Sequence, residues 1–208
     1  MSKKSSCSDD SVIDCTYILT VYDKFLDLTE KRETGARGNS KKALNLATHV
    51  IANTRLIQTE KGKANLLKAA TFRDIGKLGI SEEILNSGEI SDPNDSRWEK
   101  IKNHPRISME ILQAAGRFFS PEVIEIIKHH HPWYESEGFL LNGEWNELTV
   151  SCQVVSIIDA YVGLRSKRVW RKGAYDHNQA MKELLNHNRR FCPSLLIYLS
   201  PILIKMDD

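Results

Sequence analysis

Cysteine is scarce and scattered: Cys7, Cys15, Cys152 and Cys192 form no CxxC pair and show no spacing typical of zinc modules. That excludes a disulfide-stapled scaffold and a thiolate zinc finger, and it points to a reducing, cytoplasmic compartment with buried or idle thiols. Net charge is lacking too. The 29 basic and 27 acidic residues leave a formal +2, so no global field argues for DNA, RNA or a membrane surface. Any anion site has to be local. Long apolar runs are also missing. The longest near either end, Ser194 to Ile204, is interrupted by Pro201 and is too short to span a bilayer. The opening MSKKSSCSDDS holds no apolar stretch fit for a signal peptide. No alternating β pattern is long enough to compete with helix, and there are no repeats. What remains suffices for a core, because a hydrophobic fraction of 41% over 208 residues fits one all-α domain.

Residues 1–10 carry charge and serine with little to bury, which predicts a disordered tail. From Ser11, the residues Val12, Cys15, Ile18, Leu19, Tyr22, Phe25 and Leu26 follow helical spacing, giving an N-terminal helix over 11–34 that ends at Gly35 and Gly38. Residues 35–208 then form the main domain. A second periodic stretch opens at Ser40, a third runs from Ala64 to Phe72, and the glycines of RDIGKLGI mark a break. One long helix after Asp95 is expected to carry Trp98, Ile101, His104, Ile107, Ile111 and Leu112. Ser120-Pro121-Glu122 is a helix start, with serine as cap and proline at the first position. Pro132 to Leu148 has no periodicity and reads as a loop. Helices follow over about 147–165 and 174–188, then a terminal segment after Pro193.

Asp74, His104, the run His129-His130-His131, and Asp159 sit in separate helical stretches. In a helical bundle, such residues converge on a core site whose imidazoles and carboxylates suit Zn, Mn, Fe or Ni. The bland alternatives are a hydrogen-bonded structural His104 and a histidine run that favours a helix C-terminus.

The strings themselves carry more. RDIGKLGISEEILNSGEI resembles the HD-GYP signature HD-x-GK-x-GIP-x-x-IL-x-K-x-G, and NHPRISMEIL resembles its HP-x-x-G-x-x-IL helix. KHHHPWYESEGFLLNGEW resembles HHE-x-x-DG-x-GYP-x-GL-x-G, and IIDAYVGLRSKRVWR resembles D-x-YDALTS-x-R-x-YR. FCPSLL resembles the later FDP, so order and separation agree from about Glu30 to Leu195. The resemblance implies an all-α HD-domain bundle with an extra N-terminal helix. It also implies metal-dependent hydrolysis of cyclic di-GMP or a related cyclic dinucleotide.

By that resemblance Asp74 is the bridging aspartate, His104, His130 and His131 are ligands of one metal, and Asp159 is the terminal ligand of its neighbour. Lys77 matches a lysine that contacts the phosphodiester, and with Asp74 it would belong to the catalytic group. Arg168 and Arg171 match residues near the substrate phosphates; a solvated helix end is the ordinary explanation of that basic cluster. The departures are as telling. Arg73 stands where the family's naming histidine belongs, and Asn39 where an earlier histidine belongs. An associated glutamate falls on Gly35, the glutamate after the histidine pair is Pro132, GYP has become Gly138-Phe139-Leu140, and a second aspartate is Val162. His49 lies about 15 Å further along a helix than Asn39, too far to substitute.

One metal position thus keeps Asp74, His104, His130 and His131, while the other loses both imidazoles. Arginine has no lone pair to give. Arg73 either replaces the missing ion's charge beside Asp159 or Asp74, or turns to solvent. Two-metal hydrolysis clamps attacking and leaving oxygens between ions about 3.5–4 Å apart, and losing that clamp costs about 10²–10⁴ in rate. Three readings follow: an impaired cyclic-dinucleotide-binding or regulatory protein, a phosphodiesterase with a mononuclear site, or an interaction module with an empty cleft and a signalling-protein partner. Trp133, Tyr134 and Phe139 either stack on a guanine or pin the loop, and Trp170 packs. The apolar stripe of the first helix would suit a homodimer.

Overall fold

The computed structural model describes residues 10–88, 95–131, 148–169, 171–186 and 190–207, with side chains from Thr20 onward apart from Arg117 and Asp207. The expectations for residues 1–9, for the loop carrying Trp133, Tyr134 and Phe139, and for Trp170 lie outside these residues. Among the described residues there are α-helices and short 3-10 turns but no strand, as the absence of alternating patterns requires. None of the described helices is long and apolar enough to cross a membrane.

Helix α1 (Asp10–Arg32) leads into α2 (Asn39–Asn53) through two glycines in left-handed conformation, Gly35 (φ 82°) and Gly38 (φ 81°). Gly38 offers α2 no capping side chain, so Glu30 of α1 does the work, its carboxylate accepting from the amides of Gly38 and Ser40 at 2.6 Å each. Helix α3 (Glu60–Phe72) starts on Thr59, which accepts from Gly62 N. A 3-10 turn, Ile75–Gly79, and the short α4 (Glu82–Leu85) follow.

The expected single helix after Asp95 is two: α5 (Ser96–Lys102) and α6 (His104–Gln113), broken at Asn103. Pro105 is the cause, because it lacks an amide to continue the α5 ladder and suits the first turn of a new helix. Ser120 caps α7 (Pro121–Lys128) as expected. Helix α8 (Val150–Leu164) is buried along most of its length, and α2, α3, α7, α9 (His177–Asn186) and α10 (Pro193–Leu203) surround it.

The described part of α1 packs on its own domain. Tyr22 donates to Ile111 O at 3.0 Å and its ring meets Phe72 and Phe119 edge to face, while Leu26 is buried beside them. Those positions of the apolar stripe are therefore covered within the chain and are not available to a second copy, whereas Phe25 and Leu28 stay exposed. Arg32 ties the helix end to the 3-10 turn through Leu78 O and Ile80 O, both at 2.7 Å.

Candidate metal and anion site

Asp74 caps the 3-10 turn where α3 ends, and Gly76 lets that turn close on α6. A Cβ on Gly76 would stand 2.0 Å from His104 O and 2.4 Å from Ser108 N, so only glycine fits. Ser108 rivets the junction, accepting from Gly76 N at 2.8 Å and donating to Arg73 O at 2.7 Å. Its buried hydroxyl spaces Asp74 against His104, a role that sequence reasoning did not assign.

His104 opens α6 and is 1% exposed; its Nδ1 lies 2.7 Å from Ile101 O. His130, fully buried after the end of α7, likewise sets Nδ1 2.6 Å from Ile127 O. With Nδ1 against a backbone carbonyl, each ring turns Nε2 into the site, the orientation that metal-binding histidines adopt. The two Nε2 atoms stand 3.2 Å apart. His129 turns away instead, to Glu125 at 2.8 Å.

One atom each from Asp74, His104, His130 and His131 lies within 4.8 Å of the others. Ligands at about 2.0–2.2 Å from a transition ion stand about 3–4 Å apart, so a modest contraction would complete the shell. Asp74 Oδ1 is buried with Lys77 Nζ at 3.1 Å and His104 Nε2 at 3.4 Å, so an ion bound here would share this oxygen with Lys77. Burial holds the His130 imidazole down at about 4, and holds His131 well below the ordinary range. Both are therefore neutral near pH 7, as ligation requires. Burial pushes the Asp74 carboxyl up, but Lys77, Arg73 and His104 together outweigh it and hold the group ionised. These residues fit one ion.

Arg73 does not turn to solvent. Its side chain is 1% exposed, Nε donates to Asp159 Oδ1 at 2.6 Å, and Nη2 lies 3.3 Å from Asp74 Oδ2. Nη1 donates to Ala70 O at 2.6 Å. Burial would lower its pKa, but Asp159 and then Asp74 raise it, so the guanidinium stays charged. Asp159 also stands 3.5 Å from His131. Asn39 is buried and pairs with Ser166 Oγ at 2.8 Å.

The remaining cations divide. Lys77 sits between Asp74 Oδ1 at 3.1 Å and Glu33 Oε2 at 2.9 Å, and Arg168 pairs with the other oxygen of Glu33. Arg171 directs its guanidinium to the carbonyls of Gly163, Leu164, Ser166 and Gly173 and lies over the Tyr175 ring, closing the end of α8. Glu33 was missed in the sequence. It stands two residues before Gly35, where the resemblance places a glutamate, so a shifted register was the available signal. Above these groups opens a cleft of about 520 Å³, lined among others by Asn39, Trp98, Ile101 and Phe191.

The profile of the HD domain family matches residues 37–195. A cyclic di-GMP phosphodiesterase of Vibrio cholerae is 29% identical over 121 residues, covering 55% of this chain and 24% of the relative. A Pseudomonas aeruginosa protein of the same description is 26% identical over 137 residues, covering 65% and 31% respectively. A 3'3'-cGAMP-specific phosphodiesterase of Vibrio cholerae is 25% identical over 167 residues, covering 79% and 30%. The chain thus spans about a quarter to a third of the length of these relatives.

Proposed function

Since the chain belongs to the HD domain family, as an HD-GYP-like relative of cyclic di-GMP phosphodiesterases, we propose that it binds one divalent transition metal and a cyclic dinucleotide without appreciable hydrolysis. The observation that carries this reading is Arg73, held between Asp159 and Asp74 where a second ion would need both carboxylates. A guanidinium supplies positive charge but no vacant coordination, so it compensates the carboxylates without taking their place in chemistry.

His104, His130, His131 and Asp74 would hold Fe, Mn, Zn or Ni. Such an ion supplies Lewis acidity toward a phosphodiester oxygen and lowers the pKa of water. Asp159, engaged by Arg73, serves to fix that guanidinium and to orient His131. Lys77, Arg168 and Arg171 all line the cleft, and Lys77 and Arg168 are the groups that would meet phosphate first, since Arg171 is held by backbone carbonyls. Arg171 acts as a clamp on the end of α8. Losing the second position removes the stabilisation of either the attacking or the leaving oxygen, about 10²–10⁴ in rate. The intact four-residue cluster favours a second reading, hydrolysis at a single ion, and product formation separates the two.

Chelator-free protein is to be assayed for metal content, cyclic di-GMP binding and turnover. A single equivalent of metal, lost in His104→Ala and in His130→Ala, with binding and negligible product, is the expected result. The double variant Arg73→His/Asn39→His should then gain a second equivalent and at least ~100-fold in turnover. Two equivalents and rapid turnover in the natural sequence would sink the proposal; product at one equivalent would transfer it to the second reading.

A further inference from the structure

We infer that Glu33 is an internal anion occupying the phosphate position of the cleft, and that it sets which ligands enter. Its carboxylate is buried (8% exposed) and grips two cations at once, with one oxygen on Lys77 Nζ at 2.9 Å and the other on the Arg168 guanidinium. A phosphate edge presents the same pair of oxygens to the same pair of donors. All three groups line the cleft, so the pair is reached from the space a ligand would fill.

The backbone on either side of Glu33 is pinned. Arg32 O accepts from Asn86 Nδ2 and Thr34 N donates to Asn86 Oδ1, both at 2.8 Å, and Gly35 is packed so closely that a Cβ there would stand 1.9 Å from Lys167 O. Only side-chain rotation can therefore release Lys77 and Arg168. The charges make that release costly for a weak ligand. Within this ion-pair network Arg73, Lys77 and Arg168 are shared among Glu33, Asp74 and Asp159. A lone phosphate that displaces Glu33 takes both of the cations that the carboxylate now holds and leaves it close to the incoming anion. A ligand with a second phosphodiester would have another attachment, at the ion proposed above for the Asp74–His104–His130–His131 cluster, with which to offset that cost. Glu33 thus selects phosphodiester nucleotides with two anchoring groups over inorganic phosphate and mononucleotides. The identity of the ligand and its second anchor rest on the function proposed above; the grip of Glu33 on the two cations does not.

The test is calorimetric titration of the full chain, natural and Glu33→Gln, with inorganic phosphate and separately with cyclic di-GMP. Glu33→Gln should bind inorganic phosphate at least tenfold more tightly, with the gain shrinking at high salt. Unchanged or weaker phosphate binding overturns the inference, whatever cyclic di-GMP does. A phosphate gain without cyclic di-GMP binding in either protein leaves Glu33 its role and removes the proposed function instead. If Glu33→Gln fails to fold, Glu33→Asp takes over, since withdrawing the carboxylate by one methylene must still give a gain of at least threefold.

Discussion

Arg73 is buried, and its charge is balanced by Asp159 and Asp74. Removing one partner of a buried ionic group leaves the others uncompensated, so Arg73→Met should cost about 3–5 kcal/mol in denaturant unfolding. A loss below about 1 kcal/mol would mean that water or an ion already compensates the carboxylates. Acid sensitivity follows from His130. Its folded pKa of about 4 lies below the ordinary 6.5, so the unfolded chain takes up the proton first as pH falls. Its contribution is therefore complete above about pH 6.5 and is lost between there and about pH 4, roughly 3 kcal/mol in metal-free protein. His131 shifts in the same direction. Urea midpoints from pH 7.5 to 4.5 with chelator present would check this, and a flat profile would refute it. At this scale the sequence made the four-residue cluster legible, because the motif strings survive around Asp74, His104, His130 and His131. It left the fate of Arg73 open, since nothing local says which way a long side chain points.

The elements show where local signals were strong and where they competed. Ser120-Pro121 predicts the start of α7 well because cap and first-turn proline agree. The α5–α6 break was missed because the apolar spacing runs on through it, while Pro105 alone contradicts that spacing. That break places His104 at a helix start, with Ile101 O in reach of its Nδ1. The junction of α6 with the 3-10 turn depends on Gly76. Gly76→Ala would press a methyl into His104 O and force the two apart, so metal content should fall to background although every ligand remains. Retention of the full equivalent would show that the ligands, not the junction, set the spacing. Glu30 is tested differently. Glu30→Ala deprives two α2 amides of their acceptor, and should lower stability by about 1–2 kcal/mol while leaving metal affinity unchanged. That cap was illegible in the sequence because it is supplied from another helix, across a loop.

For the whole molecule, the ligands come from α6, from the segments following α3 and α7, and through Asp159 from α8, so an ion would couple most of the bundle. A metal at about 100 times its Kd stabilises the native state by about 2.7 kcal/mol, or about 5–10 °C in melting temperature at this size. Thermal melts with and without chelator should show that difference, and identical melts would exclude the site. The helical class and the segment order were legible because periodicity and caps agree over most of the chain. The integration of α1 was not: its stripe looked equally suited to a second copy, and only tertiary packing assigns Tyr22 and Leu26 to the chain's own core. The Arg73–Asp159 pair has one more consequence, for how such a chain can change under selection. On the proposed reading, Arg73→His alone strips the buried carboxylates of their cation while Asn39 still withholds an imidazole. Asn39→His alone breaks its bond to Ser166 and gains nothing beside a fixed guanidinium. On that reading each single step is a loss and only the pair is a gain, so the ion pair works as a ratchet between a one-ion and a two-ion form of the site.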